Sequence, residues 1–324
     1  MLDDLKYKAN LKDSAIDSQL DDFLVSVQNG LSQAQKTLEC KYLYDEKGSE
    51  LFDQICDLPE YYPTRTEVGI LRSCAGEIAD TIGENAEIVE LGSGASLKTR
   101  LLLSAMNLPA LYVPVDISKD YLLAVADILR EDYPDLVVEP AVADFIAPFI
   151  LPQKGPGRKR LLFFPGSTIG NLHRGEASEF LCSLRKMADA DYFLIGVDLK
   201  KDRAVLEAAY DDAAGVTAAF NLNILRRINR ELGATFDLAK FKHRAAYNEK
   251  RGRVEMHIDS VSPQRVRVGD HYFDFAAGES IHSENSYKYG EDEFENMTLS
   301  TGWQKQQLWT DPDKMFAVFL LKAA

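Results

Sequence analysis

A short turn with two glycines has the residue types and spacing best suited to hold part of a small ligand. Gly92 and Gly94 follow the apolar run Ile88–Leu91, and a segment compatible with a helix comes after them. A strand, a tight glycine turn and a helix N-terminus together form a site for part of a nucleotide. Leu97 stands where the dinucleotide-binding fingerprint needs its third glycine, so the turn does not match that fingerprint.

Two acidic residues indicate which ligand such a turn would bind. Glu90 lies just before the first glycine, and a carboxylate there suits S-adenosylmethionine, whose methionine amine is cationic. Asp116 ends the second apolar run, 24 residues beyond Gly92. An acidic residue at that point of a βαβ unit can accept hydrogen bonds from both ribose hydroxyls. A helix N-cap or a surface carboxylate is the alternative interpretation of Asp116.

Further candidates follow the same turn along the chain. Asp144 could accept a hydrogen bond from an adenine amine and Phe145 could pack on its ring, although Asp144 is equally suited to cap the following turn. Lys98 lies one turn into the helix and could reach a carboxylate, or it is a solvated surface lysine.

Three other segments could contact a small polar substrate. The loop Pro165–Asn171 follows an apolar run and combines small residues with an amide, which is typical of a ligand site or of a structural turn. The block Tyr42–Glu67 is rich in tyrosine, and its phenols could form a lid or simply pack in the core. Glu284 follows a serine and could be a ligand contact, an N-cap partner or a solvated charge.

Alternating apolar and amphipathic segments predict the elements that position these residues. The apolar segments are 86–91, 110–115, 136–142, 160–164 and 191–197. This alternation is typical of a doubly wound α/β fold with a mostly parallel sheet. Trp303–Trp309 and Met315–Lys322, joined by a turn sequence, predict a C-terminal antiparallel hairpin. By fold analogy, that combination favours a class I methyltransferase Rossmann-like sheet over a dehydrogenase.

The remaining segments predict a second α+β subdomain that binds the substrate. Residues 1–60 are helical in pattern, and 199–285 begin with a long helical stretch followed by strand-like pieces at 253–260 and 265–275. We therefore assign 61–198 and 286–324 to a cofactor-binding domain, and 1–60 and 199–285 to a substrate-binding domain. The basic stretch at 152–160 is predicted to be a solvated surface loop.

Composition excludes several classes of partner. A net charge of −14 disfavours nucleic acid and anionic membrane surfaces. Residues 1–20 carry four acidic residues and lack the apolar segment of a signal peptide, so we expect a cytoplasmic protein. The four cysteines are widely spaced without a metal-ligand pattern, so we expect reduced core thiols and no metal.

Longer motifs resemble those of a known family, the histidine Nα-methyltransferases of ergothioneine biosynthesis. The resemblance runs from about Tyr42 to Lys322 and rests on YDEKGSELFDQICDLPEYYPTRTE, ELGSGASLKTR, PGSTIGN, AAYDDAAGVTAAFNLNILRRINRELGATFD and HSENSYKY. It implies three successive methyl transfers from S-adenosylmethionine to the histidine α-amine, which give hercynine. It also implies a monomer that acts on small molecules.

The resemblance implies a role for individual residues. The cofactor contacts would be Gly92, Lys98, Asp116, Asp144 and Phe145. The substrate contacts would be Asn171 and Tyr210 on the α-carboxylate, Gly166 lining the pocket, Glu284, Ser286 and Tyr61 at the imidazole, Met256 shaping the pocket and Tyr44 near the amine.

Three alternatives remain open at the level of sequence. An N-methyltransferase for another aromatic amino acid, such as tryptophan or a prenylated derivative, is disfavoured by Met256 with Glu284, because an indole needs more space and offers less to a carboxylate. A non-catalytic nucleotide-binding regulator is disfavoured by the tyrosine block and Asn171. A nicotinamide dehydrogenase is disfavoured by Leu97 and the terminal hairpin.

Overall fold

The computed structural model of the chain describes residues 20–94 and 97–324. In this part, helices and strands alternate over most of the length. The α-helices are α1 (20–31), α2 (Glu46–Cys56), α3 (Tyr62–Ile82), α4 (Leu97–Ala105), α5 (Lys119–Asp132), α6 (Arg174–Met187), α7 (Arg203–Tyr210), α8 (Val216–Leu232) and α9 (Glu291–Ser300). The strands are β1 (Lys36–Thr37), β2 (Glu87–Leu91), β3 (Leu111–Asp116), β4 (Val137–Val138), β5 (Ala141–Val142), β6 (Arg160–Phe164), β7 (Tyr192–Asp198), β8 (Phe241–Asn248), β9 (Arg253–Ser260), β10 (Gln264–Val268), β11 (His271–Phe275), β12 (Ser280–Tyr287), β13 (Trp303–Thr310) and β14 (Phe316–Ala323).

An eight-stranded sheet confirms the predicted fold class. Its strand order is β13-β14-β7-β6-β2-β3-β4, and β5 also pairs with β3. The pairs from β7 through β4 are parallel, whereas β14 is antiparallel to both β7 and β13. The chain leaves β2 for β3 on one side and returns to β6 on the other. The carboxyl ends of β2 and β6 therefore lie at the topological switch point, where ligands bind in open α/β sheets.

Both faces of this sheet are covered by helices. In β2, Val89 belongs to an apolar cluster that includes residues of α6 and α9. Its neighbour Ile88 belongs to a second cluster, which includes residues of α3, α4 and α5. Because successive strand residues point to opposite faces, a strand covered on both sides is buried along its whole length. In β2 the apolar residues Ile88, Val89 and Leu91 are buried, and so are its two glutamates, Glu87 and Glu90.

The predicted terminal hairpin is present as β13 and β14. The turn between them is fixed by Asp311, whose Oδ1 accepts the backbone N–H groups of Met315 and Phe316, both at 2.8 Å. This side chain accounts for the abrupt start of β14.

Two strand predictions were wrong in detail. The segment 136–142 is not one strand but two short ones, β4 and β5, because Pro140 between them has no N–H to donate to a ladder. The segment 265–275 is a hairpin of β10 and β11, in which Gly269 supplies the left-handed turn with φ of +59°.

The segment 152–160 is not entirely a solvated loop. Arg160 begins β6 and is 2% exposed, and its Nη2 lies 2.7 Å from a carboxylate oxygen of Glu87 in β2. This buried ion pair joins two central strands where their parallel pairing begins.

All four cysteines are free thiols, although only Cys74 is buried.

By compactness, the described chain divides into two units. One contains the described residues up to Phe52 together with Asp211–Ala246 and Glu255–Glu284. The other contains Asp53–Tyr210, Tyr247–Val254 and Asn285–Ala324, and it includes the large sheet. A further four-stranded sheet has the order β1-β12-β9-β8. None of the described helices is long and apolar enough to cross a membrane.

Candidate active site

The glycine turn at the end of β2 is built for close approach. Gly92 has a φ of +71°, and its N–H donates to the Val115 carbonyl of β3 at 2.8 Å. A Cβ on Gly92 would lie 3.5 Å from the Phe145 ring, so the turn and this ring are neighbours. No atom of the described residues lies within 4 Å of a Cβ placed on Gly94. The predicted cofactor residues Gly92 and Phe145 are thus brought together.

Asp116 lies beside this turn at the end of β3. Its Oδ1 accepts the Ser118 N–H at 2.8 Å. Burial raises the pKa of the Asp116 carboxyl, while N–H groups that include those of Ser118 and Gly94 act in the opposite direction. The side chain therefore fixes the start of the α5 region, as its alternative interpretation required. Its position beside Gly94 also suits the predicted ribose contact.

Asp144 and Phe145 lie in the turn after β5. Asp144 accepts the Ile146 N–H at 3.0 Å, which is the capping role considered as its alternative. The Phe145 ring packs edge-on against Phe164, with ring centroids 5.5 Å apart. Its place beside Gly92 is thereby fixed by core packing.

Glu90, the carboxylate expected to suit the methionine amine of the cofactor, is buried inside the fold. It is 1% exposed, and its Oε2 accepts the hydroxyl groups of Thr99 and Tyr112. Burial raises the pKa of this carboxyl to about 7, although the two hydroxyls favour the charged form. Its observed role is to join β2, β3 and α4 inside the fold.

Glu67 is a site residue that sequence reasoning missed. It belongs to α3 and is 1% exposed, and its carboxylate accepts the Gly166 N–H at 2.9 Å. The same carboxylate lies 2.5 Å from the Lys98 ammonium. Glu67 thus joins Lys98, predicted to contact the cofactor, to Gly166, predicted to line the substrate pocket.

These residues fit the sulfonium cofactor in its chemical groups. The turn offers its backbone at Gly94, and three side chains of other elements supply a carboxylate (Asp116), an aromatic ring (Phe145) and an ammonium (Lys98). The three side chains match the ribose, adenine and carboxylate groups of the cofactor respectively. Among residues 20–94 and 97–324, no cluster of three or more His, Cys, Asp or Glu side chains could hold a metal ion.

A second polar cluster centres on Asp198, the last residue of β7. Asp198 is 1% exposed and accepts the Tyr62 hydroxyl at 2.8 Å, Lys288 Nζ at 2.6 Å and Lys201 Nζ at 2.5 Å. Burial opposes the charged form of Asp198, but the two lysines outweigh it and lower the pKa. Burial lowers the pKa of Lys201 to about 8, with Lys288 acting in the same direction.

Lys288 joins this cluster to two predicted substrate residues. Its Nζ donates to the Tyr210 hydroxyl at 2.9 Å and to Ser286 Oγ at 2.8 Å, and these two oxygens lie 2.7 Å apart. The Tyr61 ring packs edge-on against Tyr210, with centroids 6.1 Å apart. The structure therefore brings Tyr61, Tyr210 and Ser286 together.

Asn171 ends a short 3-10 helix, Thr168–Asn171, in the loop after β6. Gly170 precedes it and packs on the backbone of Tyr287, so closely that a Cβ would lie 2.8 Å from that carbonyl oxygen. Because Tyr287 lies between Ser286 and Lys288 in the chain, this packing ties the Asn171 turn to them.

The other unit contains the remaining three predicted residues. The Tyr44 ring lies edge-on to Phe52 and Phe220, at centroid distances of 5.5 and 5.4 Å. Met256 is buried, and its carbonyl accepts the Ser283 hydroxyl at 3.1 Å. Glu284 is 9% exposed, and after burial its carboxylate is the largest cause of the raised Cys40 pKa, about 12.

Sheet order, terminal hairpin and glycine turn together define a class I S-adenosylmethionine-dependent methyltransferase. Residues 23–323 match the family described as histidine-specific, SAM-dependent methyltransferases, and the chain belongs to this family.

Several curated relatives are similar over long stretches. The chain is 42% identical over 313 residues to "Histidine N-alpha-methyltransferase" of Mycolicibacterium smegmatis, which covers 94% of this chain and 96% of that one. It is also 42% identical to the Mycobacterium tuberculosis protein of the same name, over 91% of this chain and 92% of that one. "Ergothioneine biosynthesis protein 1" of Neurospora crassa is 31% identical over 83% of this chain, which corresponds to 31% of its own length.

Proposed function

We propose that this protein trimethylates the α-amine of L-histidine with S-adenosylmethionine and so forms hercynine in the first step of ergothioneine biosynthesis. The main support is the match of almost the whole chain to the histidine-specific family, with relatives 42% identical that carry that name. The pairing of a glycine turn with the buried Lys288, Tyr210 and Ser286 cluster in one compact unit agrees with this activity.

The proposed cofactor contacts keep their predicted assignment. Gly92 allows close approach of the cofactor, Asp116 accepts from its ribose, Asp144 and Phe145 contact its adenine, and Lys98 pairs with its carboxylate. When bound, the cofactor supplies a methyl group activated by its sulfonium. The residues of the chain position the methyl donor and the amine, because an in-line displacement depends mostly on how its reactants are oriented.

The proposed substrate contacts divide by chemical group. Asn171 and Tyr210 bind the α-carboxylate, with Gly166 lining the pocket. Glu284 accepts an imidazole N–H, with Ser286 and Tyr61 at the same ring and Met256 shaping the space around it. These contacts would favour histidine over aliphatic amino acids. An aliphatic side chain has no N–H to donate, so the Glu284 carboxylate would be left unpaired.

Tyr44 has the proposed role nearest the reaction. The attacking amine must be neutral, so one proton leaves before each of the three transfers. A phenol can orient the amine lone pair and pass the proton to water. Aromatic walls also leave room around the nitrogen and attract the growing ammonium by cation–π interaction.

We also propose that the enzyme acts as a cytoplasmic monomer, and sedimentation of the purified protein tests the monomer.

Mass spectrometry tests the activity directly. The purified protein is incubated with the cofactor and each of a panel of amino acids, including tryptophan. We expect histidine to gain one, two and then three methyl groups. Preferred methylation of tryptophan, or no turnover of histidine, would contradict the proposal. Histidine binding measured with and without S-adenosylhomocysteine then gives the binding order.

Glu284→Ala tests the substrate assignment. We expect histidine affinity to fall about 100-fold, because the imidazole loses a charged partner. Affinity for S-adenosylhomocysteine should change by less than about twofold, because other residues are assigned to the cofactor. Glu295→Ala, which removes a surface partner of Lys305, is the matched control and should change neither affinity. Equal losses of both affinities would remove Glu284 from the histidine site.

A further inference from the structure

Lys288 is a fully buried lysine whose ammonium has three hydrogen-bond acceptors. Its side chain is 0% exposed, and Nζ donates to Asp198 Oδ2, to the Tyr210 hydroxyl and to Ser286 Oγ at 2.6 to 2.9 Å. An ammonium carries three protons, so each proton has one acceptor. Lysine is rarely buried completely, and an apolar side chain of similar size would fill the same volume at lower desolvation cost.

The three acceptors have different positions in the cluster. Asp198 is the counter-ion, and it is held in turn by Lys201 and Tyr62. Tyr210 and Ser286 are hydroxyls that lie 2.7 Å from each other. A hydroxyl that accepts a hydrogen bond from an ammonium is polarised and becomes a stronger donor.

Tyr210 remains a donor under physiological conditions. Burial raises the pKa of its phenol, and the attraction of Lys288 only partly offsets the rise. The phenol therefore keeps its proton at neutral pH. A protonated phenol supported by an ammonium is suited to an anionic acceptor, because hydrogen bonds to charged groups are stronger than those between neutral groups.

We propose that Lys288 is a positioning residue that orients and polarises the Tyr210 hydroxyl, and thereby makes the enzyme select substrates with a free α-carboxylate. The inference rests on the proposed function, in which Tyr210 binds that carboxylate. Lys288 does not touch the substrate; it acts on the carboxylate through the Tyr210 hydroxyl. Asp198 holds its ammonium in place.

Lys288→Met tests the inference. Methionine is apolar and of similar length, and Asp198 keeps Lys201 and Tyr62 as partners in the variant. The assay compares kcat/KM for L-histidine with that for L-histidinamide, in which the carboxylate is replaced by a neutral amide. We expect the preference for the acid over the amide to fall about tenfold, mainly through a higher KM for histidine.

Two further measurements separate positioning from folding. Affinity for S-adenosylhomocysteine should stay within about twofold of wild type, because the cofactor is assigned to other residues. Lys200→Met is the matched control, since Lys200 is an exposed neighbour of the cluster paired with Glu293, and it should leave the preference unchanged. Lys288→Gln, which keeps hydrogen-bonding capacity but not charge, should show the same loss of preference if Lys288→Met does not fold.

The outcomes distinguish this inference from the proposed function. If wild type methylates an amino acid other than histidine, kcat/KM is compared for that acid and its amide, and that comparison tests the inference about Lys288. Equal losses on acid and amide in Lys288→Met and Lys288→Gln would show a merely structural role. An unchanged preference in these variants, or a wild type that does not prefer the acid, would also overturn the inference.

Discussion

Gly170→Ala is the substitution that tests most directly how the fold places Asn171. No left-handed φ is involved at Gly170, so the alanine backbone itself is acceptable there. The added Cβ would lie 2.8 Å from the Tyr287 carbonyl oxygen and 3.1 Å from its nitrogen. Both neighbours are backbone atoms, so no flexible side chain can move aside.

The size of the effect follows from these distances. Ordinary van der Waals contact begins at 3.4 Å, so the turn and the Tyr287 backbone must separate by about 0.6 Å. Overpacking of this kind costs about 1–3 kcal/mol. The separation moves Asn171 away from Ser286 and Lys288, the two residues on either side of Tyr287 in the chain. A misplacement of about 1 Å can cost a factor of about 100 in rate, so we expect kcat/KM for histidine to fall between about tenfold and 100-fold.

The assay measures S-adenosylhomocysteine release at varied histidine concentration, together with the affinity for S-adenosylhomocysteine. Gly175→Ala is the matched control, because Gly175 lies in the first turn of α6 and no atom in the described part of the chain lies within 4 Å of a Cβ placed there. That control should keep wild-type kinetics and gain up to about 1 kcal/mol of stability from alanine in a helix.

Two results would refute the reasoning about Gly170. Wild-type kinetics in Gly170→Ala would show that the contact with Tyr287 does not position Asn171. A loss of S-adenosylhomocysteine affinity as large as the loss in kcat/KM would show a general disturbance of the sheet edge rather than of the histidine side.

Three further substitutions test the buried charges. Arg160→Met leaves Glu87 without its buried ion-pair partner and should lower the free energy of unfolding by about 3–5 kcal/mol in urea titrations; a loss below about 1 kcal/mol would contradict this. Because the folded pKa of Glu90, about 7, exceeds its ordinary 4.5, the folded wild type keeps a proton that the unfolded chain releases between these pH values. Its stability therefore falls as pH rises from about 4.5 through about 7, and this contribution levels off at higher pH. Glu90→Gln should therefore gain about 2–3 kcal/mol more over wild type at pH 8 than at pH 5, and equal differences at both pH values would be inconsistent with a buried, titrating carboxyl. Gly196→Ala would place a Cβ 1.9 Å from a Glu67 oxygen, so the carboxylate should leave Lys98 and weaken S-adenosylhomocysteine binding about tenfold, as measured by calorimetry; unchanged affinity would show that Glu67 does not position Lys98.

Local patterns explain why much of the large sheet was predictable. The runs that became β2, β6 and β14 are rich in apolar residues, because these strands are buried on both faces over most of their length. The exceptions are Glu87, Glu90, Arg160 and Lys322. The glycine turn was predictable since Gly92 supplies a left-handed φ directly after such a strand. The broken strand at 136–142 was not anticipated, although Pro140 in its sequence was the signal that could have shown it.

The buried charges of the site were not predictable from residue type. Glu67 and Lys288 are charged residues of kinds normally found at the surface, and nothing in their sequence neighbourhood indicates full burial. Their partners lie far away in sequence, at Gly166 and Asp198 respectively. Asp198 did carry a usable signal, because it directly follows the fifth apolar run, 191–197, and the carboxyl ends of such strands form the site.

The loop after β6 was open to two interpretations, as a structural turn or as a ligand site, and its geometry gives a reason to join them. Gly166 and Ser167 both have left-handed backbones, with φ of +80° and +57°. A serine in that region is strained and persists only where its surroundings hold it. Two hydrogen bonds do so: the Gly166 N–H donates to Glu67, and Ser167 Oγ accepts the Asp198 N–H at 2.9 Å. Glu67 also pairs with Lys98, and Asp198 also pairs with Lys288. The strained turn is therefore bonded both to the Glu67–Lys98 pair and to the Asp198–Lys288 pair. As a structural turn, the loop therefore holds the Glu67–Lys98 pair next to the Asp198–Lys288 pair.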